Sequence, residues 1–276
     1  PIESQALMVE VFSEVANDAS AVEELKIWLL KQKQVQNWKS TKATTDAVYA
    51  LLIRGFNLLA SDKLVEVKIG NEVIDPFKIE DCKVEAGTGY FKTAWSGENI
   101  KSEMGKIQVT KTDSGIAWGA VYWQYFEDLD KITPHETPIS IKKQLFVERQ
   151  SPTGPRMEPI GDNAILKVGD KVKVRIEIRV DRDMDYVHMK DMRASCMEPV
   201  NVFSTTKYQG GLWYFENTRD AATNFFFNKL YKGTYVFEYS LYATHVGEFS
   251  NGITTIQSMY APEFTAHSSG ETVSIK

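Results

Sequence analysis

The chain has few of the residues on which catalytic and ligand-binding motifs depend. It contains 2 cysteines and 4 histidines among 276 residues, and neither Cys82 nor Cys196 lies in a CxxC pair or at metal-ligand spacing from a histidine. No Gly-Lys-Ser/Thr phosphate loop occurs, and Gly87-Thr88-Gly89 lacks the third glycine of a dinucleotide loop. The sequence therefore predicts no cofactor, metal or nucleotide site.

The two cysteines are predicted to be unpaired or buried thiols, because a free cysteine usually behaves as a small hydrophobic residue. The alternative is a disulfide formed in an oxidising compartment, which requires the two Cα atoms to lie within bonding range. The spacing of Cys82 and Cys196 leaves both possibilities open.

The chain also lacks a strong excess of either positive or negative charge, and it lacks long apolar runs. The net charge is -5, with 32 basic and 37 acidic residues, so no basic face is expected and nucleic acid is not a predicted partner. No apolar run reaches the roughly 18 residues that would span a bilayer, which predicts no direct membrane insertion by this segment. Pro1-Ile2-Glu3-Ser4 does not resemble a signal peptide, and the helix-like start suggests a piece of a longer chain.

Residues 1–60 carry apolar side chains at helical spacing. Ser20-Ala21-Val22-Glu23 has the pattern of a capping box and predicts one helix start. Ser40-Thr41 predicts the start of the next helix, which Gly55 and Asn57 are expected to end. Two such helices form an αα-hairpin, which cannot bury both of its faces alone.

After Asp62 the spacing of apolar residues changes from a helical period to a period of two, which indicates strands. Short candidates separated by turn residues occur at 64–69, 90–95, 106–110 and 116–126. Pro134 and Pro138 bracket a short polar link, so we expect a β-unit over residues 61–136.

Residues 137–276 show the clearest strand patterns. Gly169-Asp170 predicts a turn, and the apolar residues from Val172 to Val180 then alternate with charged ones, as in an antiparallel strand with one wet face. Tyr235, Phe237 and the following alternate positions repeat this pattern. Several short strands joined by turns indicate a β-sandwich.

A hydrolase is one functional hypothesis for this region. His188 lies close in sequence to Asp185, Asp191, Ser195 and Cys196, which are the residue types that a nucleophile and its base require. Proximity in sequence does not assemble a triad, and the interpretation we prefer is a turn with solvated charges.

A calcium site is a second hypothesis, and it is weaker. Asp181, Asp183 and Asp185 have the alternate spacing that begins a calcium loop, but the required glycine and the distal glutamate are absent. The pattern instead predicts a solvated strand end.

The aromatic residues have two interpretations. Rings on strands usually belong to the core, and we predict this for Trp213, Phe225, Phe227 and Phe237. If Trp213-Tyr214-Phe215 were exposed, they would instead indicate an adhesion or carbohydrate-binding module. Met259-Tyr260 differs, because Ala-Pro follows at once and stops the strand, so this pair can cover a neighbouring surface.

The order of these blocks resembles the C-terminal region of bacterial α2-macroglobulin-family proteins. The blocks that carry the resemblance are the helical stretch over residues 21–53, Trp213-Tyr214-Phe215, Phe225-Phe226-Phe227 and Ser258-Met259-Tyr260-Ala261-Pro262. The resemblance implies a mainly β chain with an N-terminal α-helical segment. Residues 1–60 would be the last helices of the thioester domain (an α/α-toroid remnant), 61–136 the C-terminal part of a CUB-type β-domain, and 137–276 the terminal macroglobulin-like antiparallel β-sandwich.

The resemblance also implies a function without enzymatic activity. In the family a Cys-x-Glu-Gln stretch forms an internal thioester, and here neither Cys82-Lys83-Val84-Glu85 nor Cys196-Met197-Glu198-Pro199 matches it. The chain would therefore be a C-terminal fragment of a broad-spectrum endopeptidase inhibitor, with Met259 and Tyr260 as thioester-shielding residues. Attacking proteases would be partners of the full-length parent in the periplasm or cell envelope, with a lipid anchor at the missing N-terminus. The fragment alone is expected to self-associate through uncovered apolar faces.

Overall fold

The computed structural model describes residues 1–35, 37–53, 65–79, 82–84, 90–112, 117, 119–161 and 165–276. The chain divides into two compact units, one made of residues 1–31 and 38–119 and the other of residues 32–37 and 120–276. Among the described residues, no helix combines the length and the apolar character needed to cross a membrane.

Three helices open the chain: α1 (Ile2–Glu14), α2 (Ala19–Val35) and α3 (Thr41–Ile53). The start of α2 differs from the prediction, because the Asp18 carboxylate, not Ser20, accepts the Ala21 N–H at 3.0 Å. An aspartate before the first turn is as good a cap as a serine, so the helix begins earlier. The Ser40 hydroxyl accepts the Ala43 N–H at 3.0 Å, which confirms the predicted cap of α3. Its predicted end at Gly55 and Asn57 lies outside the described residues.

The helices share a small apolar core. It is formed by side chains from all three helices: Ala6, Val9, Val22, Leu29, Ala47, Ala50 and Leu51. Their other faces retain exposed apolar side chains, with Leu7 at 57% and Leu52 at 47% exposure. The helices therefore leave part of their apolar surface uncovered, which is the condition on which the expected self-association depends.

The rest of the first unit contains short strands: β1 (Glu66–Ile69), β2 (Glu72–Ile74), β3 (Lys83–Val84), β4 (Phe91–Lys92) and β5 (Ile107–Thr110). They form an antiparallel sheet in the order β2-β1-β5 and a separate β3-β4 pair. These strands confirm three of the four candidate segments, although the segment predicted at 90–95 contributes only two residues.

The strand predicted at 116–126 is wrong for its described residues, 117 and 119–126, none of which lies in a strand. The sequence there is rich in β-formers, but a strand exists only where its backbone N–H and C=O groups pair with a neighbour. Tyr125 and Phe126 are instead among the most exposed side chains of the chain.

The described residues of the second unit form fourteen further strands: β6 (Ile139–Ser151), β7 (Gly154–Pro159), β8 (Ile165–Leu166), β9 (Lys171–Val180), β10 (Met184–Met192), β11 (Met197–Pro199), β12 (Thr205–Gln209), β13 (Leu212–Thr218), β14 (Ala222–Leu230), β15 (Gly233–Ala243), β16 (Gly247–Ser250), β17 (Thr254–Ser258), β18 (Thr265–His267) and β19 (Thr272–Ile275). One sheet has the order β12-β13-β14-β10-β17-β18, a second has the order β11-β15-β9-β6-β7, and a small third sheet has the order β16-β19-β8. The two large sheets are antiparallel throughout. The predicted antiparallel β-sandwich and the mainly β fold class are confirmed.

Strand β9 forms as its alternation predicts. Every second side chain from Val172 to Val180 is buried, while the residues between them are exposed or half-buried. Gly169 lies in the preceding turn with φ +91°, a left-handed conformation that glycine adopts without a steric penalty. The polar face of the strand thus stays in water while its apolar face lies in the sandwich.

The centre of the sandwich is aromatic. Phe237 on β15 packs against Tyr214, Phe225 and Phe227 of the six-stranded sheet, with ring centroids 5.2, 6.3 and 5.4 Å away. The core prediction is confirmed for the three phenylalanines. Trp213 is 67% exposed, so the core prediction is wrong for that residue. Since Leu212 and Tyr214 face inward, the pleat of β13 turns Trp213 outward.

Candidate functional site

Met259 and Tyr260 lie immediately after the end of β17. Their side chains are 58% and 78% exposed, as the strand-ending Ala-Pro sequence predicts. The chain then turns back, and the Ser258 N–H donates to the Phe264 carbonyl at 3.0 Å. Both side chains are therefore available to contact another surface, and their shielding role remains a prediction.

Buried residues hold the turn after Tyr260 in place. Ala261 is 3% and Phe264 is 7% exposed, and the Phe264 N–H donates to the Ala261 carbonyl at 2.9 Å. The Gln257 side-chain amide also donates to the Pro262 carbonyl at 3.3 Å. Because the chain is anchored before and after it, the backbone of Tyr260 is fixed while its ring projects outward.

Tyr186 on β10 contacts both of the predicted shielding residues. Its carbonyl accepts the Met259 N–H at 2.9 Å, and its ring meets the Tyr260 ring edge-on, with centroids 5.4 Å apart and planes at 77°. Tyr186 was not predicted as a site residue from the sequence. Its proximity follows from the pairing of β10 with β17, in which Val187 lies opposite Ser258. Strand register is not visible in a single sequence.

We call Met259, Tyr260 and Tyr186 the strand-end cluster.

A second group of exposed rings lies on the outer face of the same sheet. Tyr208 pairs with Trp213 across β12 and β13, and Phe215 pairs with Phe226 across β13 and β14. The Tyr208 and Trp213 rings are 5.2 Å apart and both are more than half exposed. We call Tyr208, Trp213, Phe215 and Phe226 the outer aromatic face.

His188 also lies on this outer face and is not part of a catalytic triad. Its ring stacks on Phe226 with centroids 4.7 Å apart, and its Nε2 lies 3.0 Å from the Asn224 Oδ1. Asp191 is three residues further along the strand, so the pleat directs it to the buried side. Cys196 is fully buried. The hydrolase hypothesis therefore finds no geometric support at His188.

The three aspartates at the start of β10 are matched by basic groups. Asp181 pairs with Arg182 at 2.8 Å, and the Lys229 ammonium lies 4.0 Å from Asp183 and 3.9 Å from Asp185. Within the described ranges, no group of three or more His, Cys, Asp or Glu residues is placed to hold a metal ion. This segment is therefore better described as a solvated strand end than as a calcium site.

Cys82 and Cys196 are free thiols. Burial raises the pKa of the Cys196 thiol, which favours its protonated form and keeps it unreactive. The structure therefore agrees with the interpretation of the two cysteines as unpaired thiols.

A buried ion pair connects the two large sheets. The Lys143 ammonium on β6 lies 2.7 Å from the Asp191 Oδ1 on β10, and the two side chains are 2% and 0% exposed. The Thr254 hydroxyl donates to Asp191 at 2.7 Å, the Tyr239 hydroxyl donates to its other oxygen, and the ammonium donates to the Met192 carbonyl at 2.6 Å. Thr254 begins β17, so this network fixes the start of the strand that ends at the strand-end cluster.

This ion pair was not predicted from the sequence, although the sequence contains one signal for it. Lys143 and Asp191 each occupy an inward position of a strand whose other inward residues are mostly apolar. A charged residue in such a position is rarely fully buried unless it is paired. The two partners are far apart in the chain, so only the fold shows that they meet.

The Tyr239 hydroxyl gives this network a pH dependence. Burial, with the adjacent Asp191 carboxylate, raises the pKa of Tyr239 well above its ordinary value of 10.0. Unfolded tyrosine loses its proton first, so the contribution of Tyr239 to stability is complete below about pH 10 and is lost as the pH rises further. We expect the free energy of unfolding to fall above about pH 10, and to fall less steeply in Tyr239→Phe.

Urea denaturation across an alkaline pH series measures this effect. Burial also raises the pKa of Tyr214, to about 12, so part of the alkaline loss will remain in the variant. Identical pH slopes for the wild-type chain and Tyr239→Phe would contradict the prediction.

A family model and several known proteins match this chain. Residues 139–263 match the model described as "Bacterial Alpha-2-macroglobulin MG10 domain". A segment of 131 residues, 47% of this chain, is 28% identical to "Circularly permutated Ras protein 2" of Dictyostelium discoideum and covers 3% of that protein.

Solved structures of bacterial α2-macroglobulins also match over 100% of this chain. A mutant of Salmonella alpha-2-macroglobulin gives a TM-score of 0.42 at 17% identity, and this chain spans 17% of it. Trypsin-activated alpha-2-macroglobulin from Escherichia coli gives 0.47 at 13% identity, with 18% of that chain covered. Both TM-scores are below 0.5.

The matched segment begins with β6 and ends within the turn that follows Tyr260. It contains both strands that hold the buried ion pair and nearly all of the six-stranded sheet. Residues 139–263 of this chain are thus similar to the bacterial alpha-2-macroglobulin MG10 domain.

Proposed function

We propose that this chain is the C-terminal region of a bacterial α2-macroglobulin that traps proteases of broad specificity, and that its MG10 domain shields a thioester. The observation that carries the proposal is the MG10 match over residues 139–263, which includes Met259 and Tyr260. In this proposal, residues 1–60 are the last helices of a thioester domain, 61–136 part of a CUB-type domain, and 137–276 the terminal domain.

The chemistry of a thioester explains why a shield is needed. An internal thioester resists hydrolysis only where solvent cannot reach it. A neighbouring domain must therefore cover it until the protein changes shape. An exposed methionine and an exposed tyrosine at a rigid strand end offer apolar surface for this purpose. Neither cysteine of this chain is followed by Glu-Gln, so the thioester would lie in a part of the parent outside this sequence.

The same proposal gives the chain a role without catalysis and a place outside the cytoplasm. The parent would act on proteases in the periplasm or at the cell envelope, and would be held there by a lipid anchor at its own N-terminus. The exposed apolar faces of α1 and α3 would contact the remaining helices of the thioester domain.

The isolated chain should not inhibit proteases, because the sequence contains no Cys-x-Glu-Gln. The test is to titrate a broad-specificity protease with this chain and with the full-length parent, and to follow cleavage of a large protein substrate. The parent should protect the substrate in a stoichiometric manner, and the isolated chain should not. Inhibition by the isolated chain, or none by the parent, would contradict the proposal.

Tyr260→Ala should increase the reactivity of the parent's thioester. Removing the ring admits water and small amines, so methylamine incorporation before any protease is added should become faster. The free energy of unfolding should change by no more than about 0.5 kcal/mol, because the side chain is on the surface. Tyr242→Ala is the matched control, since Tyr242 is a 43% exposed tyrosine on the other sheet. Equal amine reactivity in Tyr260→Ala and the wild-type parent would count against the shield.

The outer aromatic face supports a second candidate, a carbohydrate-binding module. Trp213 is 67% and Tyr208 is 62% exposed, and adjacent exposed rings suit the apolar face of a sugar ring. Titration with bacterial-envelope glycans, followed by tryptophan fluorescence, tests this candidate. Binding that Trp213→Ala abolishes and Tyr242→Ala retains would favour it, and absence of binding would exclude it for the glycans used.

A further inference from the structure

Tyr186 has a backbone conformation that its residue type does not explain. Among the described residues, two that are not glycine have a positive φ: Asn17 at 52° and Tyr186 at 55°. Asparagine adopts the left-handed region with some frequency, and Asn17 lies between α1 and α2. A bulky aromatic residue rarely adopts it, and Tyr186 does so inside β10. Such conformations persist where the surrounding structure enforces them, and they cluster at functional positions.

The contacts of Tyr186 indicate what this conformation achieves. Regular pairing between β10 and β17 reaches its end at Val187 and Ser258. Beyond that point, the Tyr186 carbonyl continues the pairing by accepting the Met259 N–H at 2.9 Å. The same residue places its ring edge-on against the Tyr260 ring. A single residue therefore fixes the backbone of one predicted shielding residue and the ring of the other.

The ring contact matters because the rest of the turn fixes only the backbone of Tyr260. The hydrogen bonds from Ser258 to Phe264 and from Phe264 to Ala261 close the turn, but they leave the side-chain torsions of Tyr260 undetermined. A tyrosine that is 78% exposed would otherwise sample several rotamers. Edge-on aromatic contact selects among them.

We propose that Tyr186 is a positioning residue, which holds the Tyr260 ring in the orientation required to shield the thioester. This inference rests on the proposed function. It assigns Tyr186 no contact with the thioester, and it predicts that the ring of Tyr186, not its hydroxyl, carries the effect. The left-handed backbone is the conformation in which the carbonyl reaches Met259 and the ring reaches Tyr260 together.

The first test uses this chain itself, with NMR of isotopically labelled tyrosine rings and Tyr260→Phe to assign the Tyr260 signal. Tyr186→Gly tolerates the positive φ without a ring, and Tyr186→Asn provides a second ringless variant that also accepts this conformation. Both should move the Tyr260 ring signals toward those of a freely rotating tyrosine. Tyr186→Phe should leave them near the wild-type positions. In Tyr186→Gly the Met259 amide should remain protected from hydrogen exchange, because the carbonyl acceptor is retained.

Two results of this first test would overturn the inference. One is a Tyr260 signal that both ringless variants leave unchanged. The other is a shift in Tyr186→Phe as large as that in Tyr186→Gly, because the ring contact would then not be the cause.

The second test measures methylamine incorporation in the parent. Tyr186→Gly should raise the rate in the same direction as Tyr260→Ala, and Tyr186→Phe should restore the wild-type rate. If Tyr260→Ala has no effect, the shield itself is wrong. If Tyr260→Ala raises the rate but Tyr186→Gly does not, the shield stands and the positioning role of Tyr186 is overturned.

Discussion

Asp191→Ala should destabilise the β-sandwich by about 3–5 kcal/mol, because it leaves a buried ammonium without its counter-charge. The Lys143 side chain is 2% exposed, so water cannot replace the carboxylate. The Tyr239 and Thr254 hydroxyls would lose their acceptor in the same step. A loss of this size is a large part of the roughly 5–15 kcal/mol that stabilises a typical domain. Urea denaturation followed by near-ultraviolet circular dichroism measures it.

The matched control for this change is an exposed ion pair next to the same strand. Asp181→Ala breaks the pair with Arg182, in which the Asp181 side chain is 53% exposed, and it should cost no more than about 1 kcal/mol. If both alanine variants unfold at the same urea concentration as the wild-type chain, the buried pair does not stabilise the sandwich. If Asp191→Ala lowers the midpoint with an unchanged urea dependence, the loss is one of stability alone.

Phe237→Ala should cost about 3–5 kcal/mol, the range for removing a large side chain from a packed core. Phe237 is 1% exposed and its ring lies at the centre of the contacts between the two sheets. The cavity left by the ring would leave Tyr214 and Phe227 without their contact on the opposite sheet, and the sheets cannot close over it without distorting their hydrogen bonds. The same urea experiment applies.

Trp213→Ala is the control for the core variant, because it removes a larger ring from a 67% exposed position. We expect a change of no more than about 0.5 kcal/mol. The two variants test which side chains of β13 point into the core. A large loss in Trp213→Ala with a small loss in Phe237→Ala would mean that the six-stranded sheet presents its other face to the core.

Periodicity determined the β-sandwich wherever one side of a strand is buried. In β9, alternate apolar and charged residues have a single arrangement that keeps charges in water, and the structure adopts it. The same reasoning failed for Trp213, because β13 carries aromatic residues on both faces and its pattern does not distinguish inside from outside. It failed again at 116–126, where strand propensity is high but the described residues lie in no strand.

Local sequence patterns were enough to predict the strands of the sandwich, the capping of α3, and the exposure of Met259 and Tyr260 after a strand that Ala-Pro ends. Each of these depends on residues close together in the chain. The contacts of Lys143 with Asp191 and of Tyr186 with Tyr260 are visible only in the folded chain. Those pairs are joined by strand register and sheet packing, which arise from the burial of many side chains at once and are not encoded in any local pattern.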